Sequence, residues 1–160
     1  MTTTIDTFWH QCRKSVTGLP EEAPEAWAFG ATAAHADELL ELVLAGVKTA
    51  TASSLWDYEH TGEALPEPGI LSIILDGHGE PRALLETVSV EVVPFDEVTD
   101  EHAYAEGEDA RTLASWREAH ERFWRMHSQS PKGFRPDIPV VCEKFRLIYG
   151  RPLPGNEAAP

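Results

Sequence analysis

The chain has 160 residues and a formal net charge of −14, the length of one ordinary domain and enough to bury roughly 70% of the surface an unfolded chain exposes. Its longest apolar run, residues 70–75 with Ser72 inside it, falls far short of the roughly 20 residues of a membrane span, the first ten residues lack the basic and apolar regions of a secretory signal, and two cysteines, Cys12 and Cys142, are too few for a disulfide framework and read as reduced thiols of a cytoplasm. Residues 1–110 hold 4 Lys/Arg and 22 Asp/Glu, a net of −18, while residues 111–160 hold 9 and 5, a net of +4; so acidic a field opposes long duplex nucleic acid but not a nucleoside or another ligand of little charge.

Residues 5–17 are expected to form a first helix, with Ile5, Phe8, Trp9, Cys12 and Val16 at helical spacing and Gly18 after it. Residues 18–26, rich in Pro and Glu, read as a connector, and residues 26–30 as a short strand. A second helix is expected over about 34–45, with Leu39, Leu42 and Val43 on one face and Gly46 as its left-handed terminator. From residue 47 the helical period is lost, and GVKTATASSLWDYE reads as an extended segment or an irregular turn. Residues 70–75 form a buried strand, DGHGEP a hairpin-type turn, and residues 82–95 a long strand. Residues 96–110 read as a short helix and loop. Residues 111–127 are the clearest helix: Leu113, Trp116, His120, Phe123 and His127 form its stripe, and Glu118–Arg122 and Glu121–Arg125 its outer i,i+4 pairs. A loop, a last strand over 140–149 and a disordered tail over 150–160 complete the chain. Short strands with helices inserted fit an α+β fold, a small, mostly antiparallel barrel or curled sheet. No domain boundary is visible.

Three segments carry candidate chemistry. Lys48 and Thr51 sit where the second helix gives way to extended chain. Residues three apart lie on opposite faces of a strand and on one face of a helical turn, so the two cooperate only if the segment turns or the lysine stem curls. Glu106, Glu108 and Asp109 repel one another, and the choice is between a solvated loop and one carboxylate turned inward to meet Lys48. Burial lowers a lysine's pKa and a nearby carboxylate raises it, and that balance decides whether Lys48 is a base or an electrostatic anchor. On the long helix, His120 lies on the apolar stripe, and Arg117 is placed for Glu106, Asp109 or a ligand oxygen. Trp56 and Tyr58 are either core or stacking platforms for a base. The histidines are scattered and the cysteines unpaired, so neither a metal nor another cofactor is expected.

Taken in order, LVLAGVKTATAS with its G-x-K-x-x-T signature, P-x-P-G at 66–69, LLETVSVEVVPFDEV, AEGED, TLASWREAHERFW and VVCEKFRLIY resemble the ASCH domain family over about residues 27–149, nearest a bacterial subfamily with a W-R-x-x-H helix. The resemblance implies a PUA-like β-barrel, here with an added N-terminal helix and connector over 1–26. One branch of the family comprises amidohydrolases that deacylate acetylcytidine through a lysine, a threonine and a later glutamate, which match Lys48, Thr51 and Glu108. Trp56, Tyr58, Glu106, Arg117 and His120 would then line the ligand site. Other branches are ribonucleases and RNA-binding modules, so single-stranded RNA is the alternative partner, using Lys48, Arg117, Arg122, Arg125 and Arg135. A regulatory or scaffold domain with a decayed site is the third reading. The longer chain and enlarged W-R-E-A-H helix depart from the minimal amidohydrolases.

Overall fold

A computed structural model describes residues 3–151; the tail expected over 150–160 lies outside them from residue 152 onward. Contacts divide the described residues into two compact units, one within 3–46, 69–86 and 146–151, the other from Val47–Pro68 and Thr87–Phe145.

The first unit is built on helices α1 (Thr4–Ser15) and α2 (Ala33–Leu44) and strands β1 (Ala26–Trp27) and β3 (Leu71–Leu75). Thr3 starts α1 by a capping box with Asp6, and the Thr32 side chain caps α2 by accepting from the His35 amide, each satisfying a donor the helix leaves open. Gly46, at φ +78°, follows the C-cap of α2 as the sequence requires. Phe8, Trp9 and Cys12 on the apolar face of α1 bury against Ile73 and Leu84. Strand β3 pairs antiparallel with the first half of β4 (Pro81–Pro94), with an irregularity at Ile74/Leu75, and parallel with β1.

The second unit contains β2 (Ala50–Ser54), α3 (Leu55–Thr61), a 3-10 turn (Phe95–Glu97), α4 (Asp100–Glu106), α5 (Leu113–His127) and most of β5 (Pro139–Gly150). Strand β2 pairs antiparallel with β5, setting Thr51 opposite Glu143 and Ala52 opposite Cys142. Cys142, Val140 and Ala52 share the face that packs on Phe95, Val98, Ala103, Trp116, Trp124 and Ile138. Successive side chains alternate in a strand, so Thr51 and Glu143 occupy the other face. Burial pushes the Cys142 thiol up to about 12, and that of Cys12 in the first unit up to about 11.

The five strands run in the order β1-β3-β4-β5-β2. The sheet is therefore mixed and open, with β1 and β2 as edges, where a closed barrel was expected. The parallel pairing of β1 with β3 and the two-residue length of β1 leave no partner strand to bring that edge round to β2. A second difference is α3. Ser54 precedes it and Gly62, at φ +76°, ends it, so the WDYEH stretch that carries no clear period in sequence is one short helix. No helix among the described residues is long and apolar enough to cross a membrane.

Candidate functional site

The second unit gathers titratable side chains around Glu106. On α4, His102 and Glu106 stand four residues apart, one turn above one another, and the His102 ring Nε2 lies 2.6 Å from Glu106 Oε2. On α5, Trp116 and His120 have the same spacing, and their rings stack at 4.2 Å. The Trp116 indole N–H donates to Glu106 Oε2, and His120 Nε2 lies 3.2 Å from Glu106 Oε1. Glu106 is 1% exposed, and every polar contact it makes in this cluster is with a donor.

Lys48 enters from the chain ahead of β2. It is 2% exposed. Its ammonium donates to the Ala50 carbonyl at 2.9 Å, to the Glu106 carbonyl at 3.4 Å and to Glu108 Oε2 at 2.6 Å, with Glu106 Oε1 at 3.8 Å. Two carbonyl oxygens and two carboxylates thus surround the end of the lysine. Buried charges are tolerated when paired and hydrogen-bonded, and both conditions are met here.

The electrostatics follow from these distances. Burial alone would push the Glu106 carboxyl up. The His120 cation, the hydrogen bonds from His102 and His120 and the Lys48 charge overcome it and hold the carboxyl well below the usual range. Burial would likewise pull the His120 imidazole down, but the Glu106 carboxylate, with Glu108 and the Trp116 carbonyl, raises it. Geometry agrees: His120 Nδ1 lies 2.8 Å from the Trp116 carbonyl and Nε2 faces a carboxylate. Both partners only accept, so this network assigns a proton to each nitrogen, an imidazolium.

The loop after α4 delivers Glu108. Gly107 has φ +73°, and a Cβ there would meet the Val47 carbonyl oxygen at 2.8 Å. Asp109 and Arg111 also take positive φ, 53° and 60°, a conformation that costs non-glycine residues of order 1 kcal/mol or more. Arg111 secures the loop: its guanidinium lies 3.6 Å from the Tyr104 ring centroid, Nε donates to the Tyr104 carbonyl, and Nη2 reaches the Val47 carbonyl at 3.5 Å.

The residues singled out in sequence are thus distributed unevenly. Lys48, Glu106, Glu108 and His120 are brought together. Glu106 is enclosed, whereas the side chains of Glu108 and His120 keep 20% and 14% of their surface in solvent. Thr51 of β2 lies on the same sheet face as its partner Glu143 of β5, away from the face of Ala52 and Cys142. Arg117 meets neither Glu106 nor Asp109 in an ion pair among the described residues; its Nη2 donates to the Asp96 carbonyl, and its Nε is buried without a partner. Trp56 packs half-buried against the core of the unit with Lys132 over its ring, and Tyr58 is half-buried in α3. Arg122, Arg125 and Arg135 pair with Glu118, Glu121 and Asp137. His102 was not singled out. Its signal is the H-x-x-x-E spacing, visible only once residues 100–106 are read as helix.

Comparison with known proteins places the arrangement in context. A family model described as ASCH domain matches residues 25–149. Among solved structures, protein EF3133 from Enterococcus faecalis V583 is similar at 36% identity, over 90% of this chain and 87% of that one, with a TM-score of 0.81. An ASCH domain from Lactobacillus crispatus JV V101 is similar at 29% identity, over 93% and 96% of the two chains, with a TM-score of 0.83. The hypothetical protein PH0355 shares the fold at 14% identity and a TM-score of 0.51, over 78% and 98%. No curated protein matches the chain.

Proposed function

This chain belongs to the ASCH domain family, and from that premise we propose that its second unit binds a nucleoside-like or RNA-like ligand and hydrolyses an amide on a modified nucleoside of the acetylcytidine kind. The observation that carries the reading is the Lys48–Glu108 pair at 2.6 Å, with the ammonium buried and the carboxylate side chain partly exposed. Amide hydrolysis needs a nucleophile, a proton acceptor and stabilisation of a developing oxyanion. The family resemblance assigns Lys48, Thr51 and Glu108 to these tasks.

The geometry refines the division of labour. Lys48 donates to the Ala50 and Glu106 carbonyls and to the Glu108 carboxylate. Its role is to fix and polarise Glu108. Glu108 has one oxygen on the ammonium and a partly exposed side chain, the disposition of a group that receives a donor from a ligand, such as the N–H of an amide. Lys48 also reaches along its own segment, its ammonium 2.9 Å from the Ala50 carbonyl, the peptide group that precedes Thr51.

The family is thought to bind RNA. Phosphate-led binding is disfavoured here by the formal net charge of −14. The test is incubation with acetylcytidine and related acyl nucleosides, following product by chromatography, for the wild type and Lys48→Met. Turnover by the wild type, reduced at least a hundredfold in the variant, is expected. No turnover, where a working deacylase registers in the same assay, removes the hydrolytic reading. Salt-dependent binding of single-stranded RNA without turnover would establish the non-enzymatic one.

A further inference from the structure

Charge alone would send Arg111 to the carboxylates beside it in the chain. Glu108 and Asp109 precede it closely, yet among the described residues Arg111 forms an ion pair with neither; Glu108 pairs with Lys48. The guanidinium donates instead to two backbone carbonyls that the fold brings together, from Nε to Tyr104 at 3.0 Å and from Nη2 to Val47 at 3.5 Å. These carbonyls sit on the two arms of the Lys48–Glu108 pair. Val47 immediately precedes Lys48, and Tyr104 lies in the last turn of α4, which leads through Gly107 into Glu108. On the far side of Lys48, the Thr49 amide and hydroxyl donate to the Ala105 carbonyl at 2.8 and 3.3 Å. The Arg111 amide donates to the Glu108 carbonyl at 3.0 Å and closes the turn that presents the carboxylate. The guanidinium also stacks on the Tyr104 ring, and Tyr104 is 59% exposed, so this stack adds little to the core.

We propose that Arg111 is a positioning residue, a two-pronged clasp that holds the loop after α4 against the Lys48 segment and so sets the Glu108 carboxylate on the Lys48 ammonium. Its consequence for turnover rests on the hydrolytic reading above. Glu108 needs such a device, because a partly exposed carboxylate on a loop is otherwise free to swing into water. A guanidinium suits the task. Its donors form a rigid planar fork, so two of them fix the separation of two carbonyls, whereas a lysine ammonium is a single point on a flexible stem. The backbone argues the same way. Asp109 and Arg111 hold φ +53° and +60°, and a non-glycine residue persists there only where its surroundings over-determine it. Glycine at position 111 would adopt that φ without steric cost. What arginine adds over glycine is therefore its side chain, and that side chain reaches the chain on both arms of the pair.

The test observes the Lys48 ammonium itself, by magnetic resonance of protein with isotopically labelled lysine side chains, in wild type, Arg111→Lys and Arg111→Gly. Acetylcytidine turnover and urea midpoints are measured on the same samples. Burial and the bond to Glu108 slow proton exchange of the Lys48 ammonium, so the wild type is expected to show its signal, identified by its loss in Lys48→Met. Both Arg111 variants are expected to lose that signal to fast exchange and to lose about a hundredfold in kcat, the scale of a displacement of about 1 Å in a reacting group. Arg111→Gly, relieved of backbone strain, is expected to keep its urea midpoint nearer the wild type than Arg111→Lys while losing the signal as fully. A merely structural role would make signal and midpoint move together. If both variants keep the wild-type ammonium signal and exchange rate, Arg111 does not position the pair, and turnover by the wild type would leave the hydrolytic reading standing without it. If both lose the signal while the wild type shows no turnover, the clasp stands and the hydrolytic reading falls.

Discussion

Glu106→Gln is the most informative single change, because it preserves shape and removes only the charge on which four groups converge. The carboxylate accepts from the Trp116 indole, His102 and His120 and faces the Lys48 ammonium at 3.8 Å. In the variant, the amide NH2 must point at a donor, and two buried cations share Glu108 alone. Removing one partner from a buried, hydrogen-bonded charge cluster costs about 3–5 kcal/mol, against about 5–15 kcal/mol for a whole domain. With a urea dependence of about 2 kcal/mol per molar, the unfolding midpoint should fall by roughly 2 M with its slope unchanged. The pH dependence has a definite sign. His120 has a raised folded pKa, so its contribution is complete below the ordinary value of 6.5 and is lost as pH rises through the raised value. Glu106 has a depressed one, so its contribution is present above 4.5 and is lost as pH falls through the depressed value. The cluster therefore stabilises most between about pH 4.5 and 6.5, and that feature should vanish in Glu106→Gln. A midpoint within experimental error of wild type, with an unaltered pH profile, would refute the claim that Glu106 organises the unit.

Gly107→Ala should destabilise by about 2 kcal/mol or more in urea unfolding, since it combines φ +73° with a Cβ 2.8 Å from the Val47 carbonyl; Gly62→Ala, with the same φ sign but open space, should cost less. Cys12 and Cys142, pushed up to about 11 and about 12 and buried, should resist alkylation at pH 8 in the native protein and react rapidly in urea, as mass spectrometry will read. Arg122→Ala, at an exposed i,i+4 pair with Glu118, should change stability by no more than about 0.5 kcal/mol.

Much of the architecture is legible in the chain because local rules agree. The stripe on residues 111–127, the terminator Gly46 and the Leu71–Leu75 and Pro81–Pro94 strands are each fixed by periodicity or a turn residue. Helix α3 is not, because seven residues hold less than two full periods and its start follows directly from a strand. The openness of the sheet is not legible either, since strand order depends on pairings as distant as Ala50 with Lys144. At the site, Lys48 and Glu108 follow from opposite charge and family order. The depth of Glu106 requires knowing that α4 turns it, rather than Glu108, toward the Trp116 indole. Thr51 and Glu143 show the strand rule at work: β2 is extended, so the threonine acquires a neighbour 92 positions away in sequence, while the lysine stem curls back to the Ala50 carbonyl.

The central claim is that the surface around Glu108 and His120 is where the ligand sits. Titration of isotopically labelled protein with acetylcytidine, followed by side-chain carboxyl, imidazole and backbone resonances, measures this directly. Shifts concentrated on Glu108, His120, Thr51 and the Gly107–Arg111 loop, and abolished by Glu108→Gln, are expected. Undiminished shifts in that variant, or shifts confined to the first unit, would contradict the account.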